Sequence, residues 1–115
     1  MRRWLVSLLS TLVGLLLAAL PVTVSATGAG GTATISSFTV DTWDQLISVS
    51  GPWTNPDNCG VATFFVIQMS NANYKDLLAA VMMASASGKT IGPWFNGCVA
   101  TPWGNAPLVS IIGVN

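Results

Sequence analysis

Histidine and glutamate are absent from this chain of 115 residues, and its only arginines are Arg2 and Arg3. These absences remove most catalytic chemistry. A serine or cysteine nucleophile would lack its usual base, and neither Lys75 nor Lys89 lies in a nucleophile motif. The four aspartates, Asp41, Asp44, Asp57 and Asp76, are scattered and make no spaced carboxylate pair. No phosphate-binding or dinucleotide signature occurs, so no cofactor is expected. With two cysteines, no CxxC and no histidine, a metal site would have too few ligands. The residues therefore describe a protein that is not an enzyme.

Charge is scarce as well. The first 26 residues read as a secretory signal: Arg2 and Arg3 as the basic region, a chargeless Trp4–Leu20 run broken by Pro21, and Val24-Ser25-Ala26 as a small-residue cleavage pattern. The alternative, an uncleaved anchor, would ask a run of about 17 residues with Ser7, Ser10, Thr11 and Gly14 to cross a ~30 Å hydrocarbon core. Cleavage after Ala26 leaves no stable membrane anchor and an exported protein, periplasmic or secreted. Residues 27–115 keep two lysines against four aspartates, a net charge of −2. Without a basic face, nucleic-acid binding is excluded. So few charges also do little to keep an apolar surface dissolved as a monomer.

In an exported chain the even cysteine count reads as a Cys59–Cys98 disulfide, with a pair of free or metal-binding thiols as the alternative. It would close a loop of about 40 residues and stabilise a small domain by roughly 4 kcal/mol in the chain-entropy model.

Organisation follows from pattern. Residues 27–31 (TGAGG) are a flexible leader, and one domain occupies 32–115. TATISSFTV (32–40) is a strand whose Ile35 and Phe38 break alternation, which predicts a bulge or strong bend. DTWD (41–44) is a turn. QLISVSG (45–51) alternates, with Ile47 and Val49 on one face. The loop from Pro52 to Gly60 contains the turn chemistry Asn55-Pro56-Asp57. VATFFVIQM (61–69) is apolar on both faces, with Phe65, Ile67 and Met69 opposite Phe64 and Val66, so it lies centrally or beneath a partner. YKDLLAAVMMASAS (74–87) is a helix, with Asn73 as N-cap, Asp76 at N3 and Gly88 as its stop. After Asp76 the helix has no charge, so it is expected to be covered on more than one side. KTIGPWFNG (89–97) is an edge or bulged strand interrupted at Pro93 and ended by Cys98. Residues 99–106 are a loop, and PLVSIIGVN is the last strand. The fold class is α+β, mostly β. Five strands with one helix between the third and fourth match a five-stranded OB-like Greek-key barrel, and a small α+β sandwich is the competitor.

Several pieces of the chain carry a resemblance: Asn55-Pro56-Asp57-Asn58-Cys59, Asn73-Tyr74-Lys75 through Gly88-Lys89, Gly97-Cys98 and Trp103-Gly104. In layout they resemble small exported bacterial OB-fold proteins, and the B subunit of subtilase-type cytotoxin. The resemblance spans most of 32–115 and implies a ring-forming, glycan-binding module, with a homopentamer as the assembly and sialylated glycans as the ligand class. It places no sugar-contacting residue on a position of this chain.

Binding candidates come from the aromatics. Trp43, Trp53 and Trp103 fall in expected loops, and Trp94 follows a strand-breaking proline. Tryptophans often dominate binding surfaces, and each here could equally lid a small core. The disulfide would bring the 51–60 and 99–105 loops together, so Trp53 and Trp103 are expected to share one rim. On the helix, Ala79, Met82, Met83 and Ala86 are candidates for an oligomer interface. The expected function is non-covalent recognition of a glycan or protein ligand. The alternatives are a periplasmic accessory or inhibitor protein that binds another protein, and a structural envelope component.

Overall fold

The computed structural model describes residues 27–115. The expected signal and its cleavage position lie outside the described residues. Among the described residues, seven strands and one long helix follow in order. They are β1 (Gly28–Ala29), β2 (Ala33–Thr34), β3 (Ser37–Asp41), β4 (Leu46–Ser50), β5 (Phe64–Gln68), α1 (Tyr74–Ser87), β6 (Thr90–Thr101) and β7 (Gly104–Val114).

The alternating segments assemble as their periodicity requires. β3, β4 and β5 form an antiparallel meander with Val49 opposite both Phe38 and Phe65. Because successive side chains point to opposite faces, Ile47, Val49, Phe65 and Ile67 all reach the main core. There they meet Trp53, Val81, Ala84, Ile91, Phe95 and Val109. Phe64 and Val66 point the other way and join Leu46, Ala106 and Val99 in a smaller cluster. β5 is thus apolar on both faces because both faces are covered.

Among the described residues the fold is mostly β with one helix and one disulfide, and it departs from the expected five-stranded barrel. The sheet has seven strands in the order β1-β6-β7-β5-β4-β3, with β2 also on β6, and it does not close. The expected first strand is broken. Its N-terminal pieces pair with β6, Ala33 opposite Ile91, while Ser37–Asp41 pairs with β4. The break falls at Ile35–Ser36, where alternation fails, and the Ser36 N–H donates to Ser50 O. The supposed leader is also ordered. Gly28 and Ala29 pair with Phe95 and Trp94. Gly30 donates to Pro93 O and lies so close to the Phe95 ring that a β-carbon there would collide with it. A string of small residues looked like a linker, and here smallness serves close approach.

β6 is longer than expected and is an interior strand, flanked by β1 and β2 on one side and β7 on the other. It is bulged, with register shifts between Trp94 and Phe95 and between Phe95 and Cys98. Proline is tolerated at position 93 because the neighbouring edge is interrupted between β1 and β2. Pro93 O faces that gap, and its missing donor faces the same way. The strand does not end at Cys98, and 99–106 is not a loop. Val99 pairs with Ala106 and Thr101 with Gly104, leaving only Pro102 and Trp103 in the turn. Gly104, at φ 121°, allows that tight reversal.

The helix occupies the expected residues but begins differently. Asn73 makes no side-chain cap, because its φ of −103° and ψ of 16° are not the extended values a cap needs. Asn71 does the work instead, its carbonyl accepting from Tyr74 N–H and its Oδ1 from Asn73 N–H. Gly88 ends the helix in the left-handed region, its N–H donating to Ala84 O. Val81 and Ala84 are buried, with Leu77 and Leu78 packed beside them. The opposite face is not covered as expected. Ala79, Met82, Met83 and Ala86 are exposed, and their spacing puts them on one stripe.

Candidate binding surface

The Pro52–Gly60 loop is a fastener. Asn55 grips Cys59 at two points, its Nδ2 donating to Cys59 O (2.7 Å) and its Oδ1 accepting from Cys59 N–H (2.8 Å). The Asp57 carboxylate accepts from Gly97 N–H (2.8 Å) and from Thr27 Oγ1 (2.9 Å). Thr54 donates through Oγ1 to Ala29 O and through its N–H to Gly30 O. The Cys59–Cys98 disulfide completes the tie between this loop and β6. The loop's polar groups thus hold down the N-terminal segment and β6.

Trp53 is part of this fastening and does not lie on a rim. It is 6% exposed, and its indole N–H donates to Val49 O at 2.9 Å. Its ring stands edge-on to Phe65, with centroids 5.1 Å apart, and covers Gly51 so closely that no β-carbon fits there. The 51–60 loop does come beside the 99–105 segment, where Val61, the residue after the loop, donates its N–H to Asn105 O, but Trp53 turns inward. The buried aromatic of the loop serves packing, which its composition alone could not distinguish from binding.

Trp103 turns outward. It is 57% exposed at the β6–β7 turn. Thr101 Oγ1 pins that turn, accepting from Trp103 N–H (3.1 Å) and donating to Gly104 O (2.7 Å). The indole stands perpendicular to Phe64, at an interplanar angle of 89° and 6.2 Å between centroids. Phe64 is opposite Ser50, and Ser50 is opposite Ser37; beside them Val66 is opposite Ser48, and Ser48 opposite Thr39. Cross-strand partners share a face. The Trp103–Phe64 pair therefore borders a sheet face carrying four hydroxyls. Phe64 and this hydroxyl row were missed at the level of sequence. The signal available was the Ser-Val-Ser alternation of 48–50, which sends both serines away from the core.

Trp94 and Trp43 do not join this surface. Trp94 is cross-strand from Ile111 on the outer side of β6 and β7, and both are exposed. Trp43 is 93% exposed at the β3–β4 turn and stands alone. That turn is built on Asp41 Oδ1, which accepts from Trp43 N–H and Asp44 N–H. The Asp44 N–H, a hydrogen bond shared with the Asp44 carboxyl and the Trp43 N–H hold the Asp41 pKa below its ordinary value. The same shared hydrogen bond, slight desolvation and the Asp41 charge push Asp44 up.

The disulfide is compatible with export, and among the described residues no helix is long and apolar enough to cross a membrane. Neither a protein-family model, a curated protein nor a solved structure was found to match the chain.

Proposed function

We propose that this protein is an exported, non-catalytic recognition module built on an OB-like barrel, with a glycan as its ligand. The barrel reading rests on the segment 28–41, which touches both ends of the strand order: its first part lies on β6 and its last on β4. The observation that carries the binding reading is Trp103, an exposed indole on a pinned turn beside Phe64 and a row of hydroxyls. Sugar rings offer polarised C–H bonds to the negative face of an aromatic and hydroxyls to neighbouring polar groups, and this surface holds both complements.

Homo-oligomerisation is the second part of the proposal. The exposed stripe Ala79, Met82, Met83 and Ala86 fits a second copy of the chain, in a ring such as the pentamer of a toxin B subunit, where several weak sites act together. The same stripe, with the Trp94–Ile111 patch, favours one other reading: an accessory or inhibitor protein that binds a different protein.

Two measurements test these readings. The exported protein is screened on a glycan array, where binding lost in Trp103→Ala is expected; no bound glycan, or full binding by that variant, would end the glycan reading. Light scattering after gel filtration reads the assembly. A mass of several subunits that falls to one in a folded Met83→Glu variant is expected. A monomeric parent removes the ring and leaves the stripe to a foreign protein.

A further inference from the structure

Register and charge together say which sugars the Trp103 surface would accept. From Phe64 across Ser50 to Ser37 is two strand spacings, about 10 Å, enough for two pyranose rings. Ser48 and Thr39 form the parallel row, also joined by register. Ser37 and Thr39 are exposed, and Ser48 and Ser50 are half-buried. A serine or threonine hydroxyl both donates and accepts, as sugar hydroxyls do, so such a surface can satisfy a neutral sugar without any charge.

It has no cation to offer a carboxylate. Strong recognition of an acidic sugar uses arginine or lysine donors. Among the described residues the cationic side chains are Lys75 and Lys89. Lys75 is in the first turn of α1, which follows the Gln68 end of β5; Phe64 is at the other end. Lys89 directly precedes Thr90, at the end of β6 remote from the Trp103 turn. The charge that does share the hydroxyl face is negative. Asp41 is two residues beyond Thr39 on β3 and so projects from the same side.

We infer that this surface selects neutral oligosaccharides and discriminates against acidic ones, sialylated glycans included. The inference rests on the glycan reading above and specifies its ligand class.

The test uses the exported protein with its disulfide intact and follows the tryptophan indole N–H signals by NMR. The neutral probes are lactose, maltose, cellobiose and N,N′-diacetylchitobiose; the acidic probes are 3′-sialyllactose and digalacturonic acid. At least one neutral probe is expected to saturate and shift the Trp103 signal, with acidic probes at least tenfold weaker. Its affinity should change less than twofold between low and high salt, since no ion pair is made. Trp103→Ala should abolish binding, and Ser50→Ala with Thr39→Ala should weaken it several-fold without lowering the melting temperature. Trp43→Ala should leave it unchanged. An acidic probe that binds as well as its neutral counterpart, or saturation that shifts Trp43 or Trp94 instead, overturns this inference while glycan binding stands. If none of the neutral or acidic probes binds, both fail together.

Discussion

Replacing Trp53 separates a core tryptophan from a binding one, because the two roles predict opposite outcomes. Trp53→Ala removes a side chain that is 6% exposed, leaves a void beside Phe65 and Gly51, and strands the carbonyl of Val49. Truncating a buried large aromatic costs about 3–5 kcal/mol, and the indole hydrogen bond adds roughly 1 kcal/mol. At about 0.05–0.15 kcal/mol per residue, a domain spanning residues 27–115 has about 4–13 kcal/mol in reserve, so this loss takes half of it or more over most of that range. The alanine variant should therefore be marginal even with its disulfide intact. Trp53→Phe keeps a ring against Phe65 and loses the indole donor, at roughly 1–2 kcal/mol, or a melting temperature lower by about 5–15 °C. Trp103→Ala, at an exposed turn, should shift stability by no more than about 0.5 kcal/mol. Urea unfolding of the oxidised proteins, followed by far-ultraviolet circular dichroism, gives all three. If Trp53→Ala unfolds within about 1 kcal/mol of the parent, the assignment of this residue to the core is wrong.

Three other outcomes follow from the same contacts. Gly30→Ala drives a methyl group into the Phe95 ring and should destabilise the domain by about 1–3 kcal/mol in urea unfolding; a neutral result would mean that 27–31 is loose after all. Cys59→Ser with Cys98→Ser opens a loop with a sequence separation of 39 and should lower unfolding free energy by roughly 4 kcal/mol, a loss that reducing agent would reproduce in the parent. At the β3–β4 turn, carbon-detected NMR titration should find Asp41 below and Asp44 above the ordinary value of 3.8. The signs oppose: Asp41 favours the folded turn above its unfolded pKa and loses that contribution as pH falls through its folded value, whereas Asp44 favours it when protonated and loses this as pH rises through its own. Asp44→Asn should therefore remove the fall in stability as pH rises through the Asp44 value and leave the opposite, Asp41-driven rise uncompensated, and an unchanged profile would exclude the coupling.

The sequence by itself determined the elements that local chemistry controls. The α1 boundaries followed from composition and the Gly88 stop, β4 from alternation, β5 from a run apolar on both faces, an irregularity near Ile35 from the failure of alternation, and the disulfide from an even cysteine count. Its silences were those of residues whose role depends on distant partners. Gly28 and Gly30 read as a linker because nothing local shows the Phe95 ring and the Pro93 carbonyl that they approach. Val99 and Ala106 read as a loop because a two-residue turn becomes visible only once the strands pair. Trp53 and Trp103 both stood in glycine- and proline-rich stretches, and only packing decided that one seals the core while the other faces water. Likewise the sequence showed that the outer stripe of α1 is apolar, and the tertiary structure decided that its own domain leaves it uncovered. A chain's periodicity records which side of each element is apolar, but which apolar sides meet is set by strand register and by long-range closure, and those are properties of the whole fold.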